Sequence, residues 1–152
     1  MENPLTLLAS VLSEGNVMLG LALRDRREIF GAVAGLWHDN SGLDEDEVVA
    51  GLNLREELGS TGLGKGLAIP HARVRGLAKP QAAFLRLSQA IEFGAPDQLP
   101  VDEFFVLVVP SDATEVHLEI LAAVAEKMSG TGFRDELHAA ASPADVVRLF
   151  SA

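Results

Sequence analysis

His71 has the clearest capacity for chemistry in this sequence, because a neutral imidazole is a nucleophile near pH 7. It follows a glycine-rich stretch, residues 59–66, and comes directly after Ile69 and Pro70. Proline restricts its own backbone and keeps the preceding residue extended, so we expect His71 at a strand end with its ring near the surface. Attack on a phosphoryl group would give a phosphohistidine that can pass the group on. The alternative is a histidine with a purely structural role.

The glycine-rich stretch matches part of a nucleotide-binding loop but departs from it at one essential position. Residues 59–65 fit the spacing G-x-x-x-x-G-K, yet Gly66 stands where a serine or threonine would bind magnesium. The stretch is also predicted to connect a helix to a strand, whereas nucleotide and dinucleotide loops connect a strand to a helix. Two interpretations stay open: the backbone approaches a phosphate closely, or it only turns the chain. The candidate pocket residues here are Ser60, Thr61, Gly62 and Gly64.

Three further side chains could stabilise a transferred phosphoryl group, whose negative charge must be spread and neutralised. Arg55 lies at the end of the helix predicted before the glycines, and Arg73 lies two residues after His71. His117 falls in the first turn of a predicted helix, where backbone amides also favour an anion. The alternative for His117 is a histidine packed on the core.

The sequence predicts no metal site. It has no cysteine, and none of its four histidines pairs with a carboxylate at a spacing typical of metal ligands. Glu115 and His117, for example, are two residues apart and do not share a helix face. His38 and His138 are interpreted as surface or structural residues.

The charge of the chain is strongly negative but unevenly distributed. With 22 acidic and 12 basic residues the net charge is −10, which disfavours nucleic acid and anionic membranes as partners. Residues 58–91, however, contain five basic residues and no aspartate or glutamate. This zone indicates an anionic substrate or an acidic patch on a partner; the alternative is chance composition around a buried strand pair.

The length of 152 residues and the hydrophobic content of 48% predict one compact domain spanning residues 1–152. No apolar run approaches the roughly 18 residues that a membrane helix needs. The first residues lack the basic start of a signal peptide, and the absence of cysteine fits a reducing compartment. We therefore expect a cytoplasmic protein that is not embedded in a membrane.

The order of predicted elements is typical of an α/β protein with a sheet covered by helices on both faces. The predicted strands span residues 66–70, 81–87 and 103–109, the last being the best candidate for a central strand. The predicted helices span residues 26–38, 44–58, 114–128 and 133–140, with another beginning near residue 142. Residues 5–12 could form a short helix or a strand.

Four segments together resemble the type-2 enzyme IIA domain of the bacterial phosphoenolpyruvate-dependent phosphotransferase system. They are residues 54–57, residues 60–71, residues 93–110 and the pair His117-Leu118. The resemblance implies three layers, a central mixed β-sheet with helices on both faces. It also implies that the phosphorylated histidine falls on His71, the active-site arginine on Arg55 and the second active-site histidine on His117. No cofactor is implied, since the donor is already activated.

Residues 93–102 are more similar to the nitrogen-regulatory branch of this family than to its sugar-specific branches. The resemblance implies a small histidine phosphocarrier protein, HPr or its nitrogen-type homologue, as the donor to His71. The group would then reach regulatory target proteins or a IIB domain. The alternatives are a fructose- or mannitol-type enzyme IIA and a regulatory binding protein switched by phosphorylation. One departure is Ala72, where many members carry glycine, and this could alter partner docking.

Overall fold

The computed structural model describes Leu8, residues 10–113 and residues 115–151, with only the backbone described at 115–117. This part of the chain has six strands and five α-helices. The strands are β1 Val17–Leu21, β2 Gly62–Gly64, β3 Leu67–Ala68, β4 His71–Val74, β5 Gln81–Ile91 and β6 Val101–Pro110. The helices are α1 Arg26–Ser41, α2 Glu45–Glu57, α3 Glu115–Ser129, α4 Thr131–Ala139 and α5 Pro143–Ser151. Half of the segment 5–12 lies outside the described residues.

The six strands form one mixed sheet in the order β1-β5-β6-β3-β2, with β4 also paired to β6. β5 and β6 are antiparallel, whereas β3 and β4 both run parallel to β6. β1 pairs parallel to β5, and β2 closes the opposite edge antiparallel to β3. The predicted mixed central sheet is confirmed.

Strand β6 is the centre of the fold, because both of its faces are buried. Phe104, Val106 and Val108 point into one core, which includes Trp37 of α1 and residues of α2. The intervening Phe105, Leu107 and Val109 point into a second core. That second core is completed by α3, α4 and α5, with these side chains: Ile120, Val124, Met128, Leu137, Val146 and Phe150. Helices therefore cover both faces of the sheet, and the predicted three-layer α/β architecture is confirmed.

Several predicted boundaries shift by a few residues. The helix predicted over residues 133–140 spans Thr131–Ala139: Gly130 is its N-cap, and Gly132 lies within its first turn. Helix α2 ends before Leu58, which is 80% exposed and does not belong to the apolar stripe of the helix. The strand predicted over residues 66–70 is shorter, because β3 covers only Leu67–Ala68. A further strand, β4, begins after Ile69 and Pro70 and was not predicted.

An ion pair between Glu103 and Arg86 on the sheet holds the carboxyl end of α4 through hydrogen bonds. Only 3% of Glu103 of β6 is exposed, and its carboxylate accepts a hydrogen bond from Arg86 Nε at 3.2 Å. The same guanidinium donates to the carbonyls of Leu137 and Ala140, at the carboxyl end of α4. Burial raises the pKa of Glu103, and the charge of Arg86 opposes that shift. The pair therefore anchors the last turn of α4 against the sheet.

Glu103→Ala is expected to lower the free energy of unfolding by about 3 kcal/mol, because it leaves the largely buried Arg86 without its counter-charge. Glu103→Gln should cost less, since the amide oxygen still accepts from Arg86. Urea denaturation of both variants measures the difference. A Glu103→Ala stability within about 0.5 kcal/mol of the original protein would contradict this account of the pair.

Candidate phosphoryl-transfer site

His71 is the first residue of β4, where the chain joins the central strand. It pairs with Leu107 of β6, and the carbonyl of Pro70 accepts a hydrogen bond from Leu107 N at 3.0 Å. The side chain of His71 is half-buried. We predicted His71 at the end of a strand over residues 66–70; it instead begins β4, separated from the end of β3 by Ile69 and Pro70.

The hydrogen bonds of His71 determine its tautomer. Nδ1 lies 2.9 Å from the carbonyl oxygen of Ile69, which can only accept, so Nδ1 carries the proton. Nε2 then carries the lone pair of the ring, and this lone pair accepts a hydrogen bond from Arg55 Nε at 3.3 Å. The nucleophilic position of the ring is therefore Nε2, and the guanidinium of Arg55 is in contact with it.

Arg55 reaches His71 because α2 packs very closely against β4. A Cβ atom on Gly51 of α2 would lie 3.2 Å from the carbonyl oxygen of Arg73 and 3.5 Å from the Ala72 methyl group. Arg55 follows Gly51 by one helical turn on the same face, which brings its guanidinium to the start of β4. Arg55 Nη1 also donates to the carbonyl of Gly59 at 2.9 Å, so the side chain is held at two points. The small residue at 51 is thus part of the site geometry.

The surroundings of His71 favour the neutral imidazole. Burial lowers the pKa of His71, and the charge of Arg55 lowers it further. The hydrogen bond to the Ile69 carbonyl and the charge of Glu56 oppose this shift. The ring is therefore neutral and nucleophilic at pH 7.

An NMR titration of the imidazole rings is expected to give His71 a midpoint below the ordinary value of 6.5. His38 is an internal comparison, because its hydrogen bond to the Leu43 carbonyl raises its pKa above that value. The rate of phosphoryl transfer to His71 should accordingly be constant between pH 7 and pH 8 and fall at acidic pH. A His71 midpoint at or above that of His38 is the result that this electrostatic account does not allow.

His71 and Arg55 line a cavity of about 380 Å³ whose rim is mostly apolar. Leu107 and Val109 of β6 line its inner part. Three exposed leucines surround its opening: Leu54, Leu58 and Leu118. Exposed clustered leucines mark a surface that another molecule covers.

Arg73 lines the same cavity but is bound to backbone. Its Nη1 donates to the carbonyls of Ser111 and Ala113, in the loop that leads into α3. The side chain therefore fixes the approach of α3 to the site. His117 lies in the first turn of α3, as predicted, but its side chain is outside the described residues.

The other basic residues of the acid-free zone, residues 58–91, do not gather around His71. Arg75 and Lys79 line a different cavity, and Lys65 lines a third. Arg86 belongs to the buried ion pair with Glu103. The sheet topology disperses these side chains, and Arg73 alone of the five lines the His71 cavity.

The glycine-rich stretch packs against the turn that precedes β6. A Cβ atom on Gly62 would lie 3.0 Å from Ala95, so no side chain fits there. The backbone N–H of Gly62 donates a hydrogen bond to Ser60 Oγ, and that of Lys65 donates to Asp97 Oδ2 at 2.7 Å. Among the described residues, these backbone donors face protein acceptors rather than the His71 cavity. The stretch supports the site by fixing the chain before β4.

Ala72, which departs from the glycine of many family members, is buried, and its methyl group faces α2.

Glu56 was not predicted as a functional residue, yet it is a buried carboxylate next to Arg55 in sequence. It accepts from Thr61 N at 3.0 Å and from Thr61 Oγ1 at 2.5 Å. An acid before the glycines and a hydroxyl five residues later is the only signal of this contact in the sequence.

One group of described residues could hold a metal ion. The ligand atoms of Asp102, Glu103 and His138 lie within 4.8 Å of one another. His138 Nδ1 is 3.5 Å from Glu103 Oε1, while Arg86 occupies the other carboxylate oxygen. This cluster lines a separate cavity from that of His71.

No helix in the described part of the chain is long and apolar enough to cross a membrane.

Together these features define a three-layer α/β protein with a neutral, arginine-bound histidine beside an apolar cavity. The family model described as "Phosphoenolpyruvate-dependent sugar phosphotransferase system, EIIA 2" matches residues 10–152. The chain belongs to this family, whose members are phosphotransfer components. The resemblance on the sequence motifs is thereby confirmed.

Within the family, the similarity to nitrogen regulatory proteins extends over most of the chain. Nitrogen regulatory protein from Pseudomonas aeruginosa is 37% identical over 134 residues, 88% of this chain and 87% of that protein. The crystal structure of nitrogen regulatory protein IIA-Ntr from Neisseria meningitidis has a TM-score of 0.90 at 35% identity, covering 95% of this chain and 99% of that one. A fructose-specific EIIA component from Haloferax volcanii is 36% identical over 94 residues, 62% of this chain and 61% of that protein.

Proposed function

We propose that this protein is a cytoplasmic phosphohistidine carrier that accepts a phosphoryl group on Nε2 of His71. The proposal depends mainly on the two hydrogen bonds of the imidazole. The bond to the Ile69 carbonyl keeps the proton on Nδ1, and the bond from Arg55 directs the electron pair of Nε2 toward the guanidinium. The donor is the phosphohistidine of a small carrier protein, HPr or its nitrogen-type homologue. Family membership supports this type of donor.

The transfer breaks one phosphorus–nitrogen bond and forms another. The electron pair of His71 Nε2 attacks phosphorus, and the pair of the broken bond returns to the donor imidazole. The Nδ1 proton stays on His71, where the Ile69 carbonyl stabilises the positive charge that the ring acquires. Arg55 loses its acceptor when Nε2 is phosphorylated, and its guanidinium is placed to donate to the phosphoryl oxygens instead.

His117 is proposed as the second imidazole of the site. Its position in the first turn of α3 is the structural support, since helix amides there also favour an anion. Ser60, Thr61, Gly62 and Gly64 are proposed to support the site and Arg73 to hold the loop before α3. The chemistry needs no metal or cofactor, because the donor phosphohistidine is already activated.

The phosphoryl group is proposed to serve nitrogen-related regulation, with regulatory proteins as the targets. The similarity to nitrogen regulatory proteins at both the sequence and the structural level supports this assignment. The second candidate is transfer to the IIB domain of a sugar transporter, which the fructose-specific relative favours. The two differ in whether the group must leave His71 for a IIB domain.

The proposal is tested by incubating the protein with phosphoenolpyruvate, enzyme I and a histidine phosphocarrier. We expect acid-labile phosphate on the protein in stoichiometric amounts, and none when the phosphocarrier is left out. Addition of a fructose-type IIB domain then separates the two candidates, since only the sugar-specific one predicts rapid loss of label to IIB. No labelling of the original protein overturns the carrier function.

Leu58→Asp is expected to raise the KM for the phosphorylated donor about tenfold with little change in kcat, because a charge replaces an apolar group at the mouth of the His71 cavity. Leu99→Asp is the matched control: Leu99 is also exposed, but it lines a different cavity. Phosphorylation rates at increasing donor concentration give both constants. Equal KM values for the two variants would place the docking surface elsewhere.

A further inference from the structure

Glu56 carries a carboxylate that the chemistry at His71 does not explain. Its side chain is buried, with 7% of the residue exposed, although it lies at the end of α2 beside exposed residues. Burying a carboxylate is unfavourable unless it is fully hydrogen-bonded. Both of its oxygens are used by one residue, Thr61, through the backbone amide and the hydroxyl group. The carboxylate thus fixes a single turn of the chain, residues 58–61.

This turn is connected to His71 by two consecutive hydrogen bonds. The carbonyl of Thr61 accepts from Ile69 N at 3.0 Å. The carbonyl of Ile69 in turn accepts from His71 Nδ1 at 2.9 Å. A displacement of Thr61 therefore moves the acceptor that sets the tautomer and the orientation of the imidazole.

The same turn also positions the second partner of His71. Arg55 Nη1 donates to the carbonyl of Gly59, which lies between Glu56 and Thr61 in the chain. Arg55 Nε contacts Nε2 of the imidazole. Both nitrogens of the ring are thus oriented by groups that depend on the geometry of residues 58–61.

We propose that Glu56 is a positioning residue for His71: by holding Thr61 it fixes the Ile69 carbonyl and, through the turn at Gly59, the guanidinium of Arg55. A carboxylate suits this task because it accepts two hydrogen bonds and donates none. Its negative charge also favours the positive charge that the ring carries once Nε2 is phosphorylated. This inference rests on the proposed role of His71 as the phosphoryl acceptor.

The test compares Glu56→Gln, Thr61→Val and Thr61→Ser with a matched control, Glu57→Gln, which changes the adjacent exposed glutamate. Nitrogen-15 NMR of the histidine rings gives the tautomer and the titration midpoint of His71 without any donor present. The rate of acid-labile labelling and the thermal unfolding midpoint are measured on the same samples. Thr61→Val removes the hydroxyl donor at nearly constant volume, and Thr61→Ser restores it.

We expect Glu56→Gln to lower the His71 midpoint, to mix the two ring tautomers and to slow labelling roughly 10- to 100-fold. Thr61→Val keeps the charge of Glu56, so it should mix the tautomers and slow labelling without lowering the midpoint. Thr61→Ser should restore the original tautomer and rate, whereas Glu57→Gln should change none of these values. If Glu56→Gln does not fold, the Thr61 pair decides the question alone.

A folded Glu56→Gln with the original tautomer, midpoint and rate overturns the proposal, as does a loss of thermal stability with the ring unchanged. Failure of the original protein to become labelled contradicts the carrier function instead. In that case the NMR results still decide whether Glu56 orients the ring.

Discussion

Replacement of His71 by glutamine is expected to abolish acid-labile phosphate labelling by the phosphocarrier. Glutamine is close to the imidazole in size and polar, but its amide has no electron pair basic enough to attack phosphorus. The fold should persist, because the residue is half-buried and lies at the first position of β4. The measurement is the phosphate bound per protein after incubation with phosphoenolpyruvate, enzyme I and phosphocarrier.

The control for this experiment is His38→Gln. His38 is an exposed histidine whose Nδ1 also lies 2.9 Å from a backbone carbonyl, that of Leu43, but it lies outside the His71 cavity. Labelling of His38→Gln should equal that of the original protein. Equal labelling of His71→Gln and the original protein would remove His71 as the acceptor.

Replacement of Arg55 by lysine is expected to slow labelling about 100-fold while leaving the donor KM nearly unchanged. Removal of one preorganised donor to a developing oxyanion costs about 10²–10³ in rate. Lysine keeps the charge but cannot contact both Nε2 of His71 and the carbonyl of Gly59 in the plane of one guanidinium. The readout is the split between kcat and KM in donor titrations.

The charge of Arg55 and its geometry can be separated by a second substitution. Since this charge lowers the pKa of His71, Arg55→Gln should raise the titration midpoint of the ring, and Arg55→Lys should not. Arg75→Lys is the matched control, because the Arg75 side chain is 83% exposed and lines a different cavity. If Arg55→Lys were as fast as Arg75→Lys, positive charge alone would be sufficient and the bidentate geometry would be irrelevant.

The main features of the fold could be predicted because they depend on local pattern. The apolar run that becomes β6 has no polar face, which is typical of a strand covered on both sides, and α1, α2 and α5 begin at capping residues. Strand β1 was not predicted, since its five residues are stabilised by parallel pairing with β5 rather than by a pattern of their own. The same holds for β4, whose four residues pair parallel to β6.

At the candidate site, the sequence could identify residue types but not their contacts. His71 could be selected as the candidate nucleophile because Pro70 and the preceding glycines restrict the local backbone. The contact with Arg55 depends on the close packing of α2 on β4 at Gly51, a tertiary feature with no sequence period. The role of Glu56 could not be predicted for the same reason, because it requires residues 58–61 to fold back over the end of α2.

The position of the phosphoryl group on the ring tests the central claim most directly. The protein is labelled with nitrogen-15 histidine, phosphorylated by the phosphocarrier, and analysed through phosphorus–nitrogen coupling in NMR spectra. The hydrogen bond that protonates Nδ1 predicts coupling to Nε2 of His71 and to no other ring nitrogen. Coupling to Nδ1 of His71, or to a nitrogen of another histidine, would contradict it.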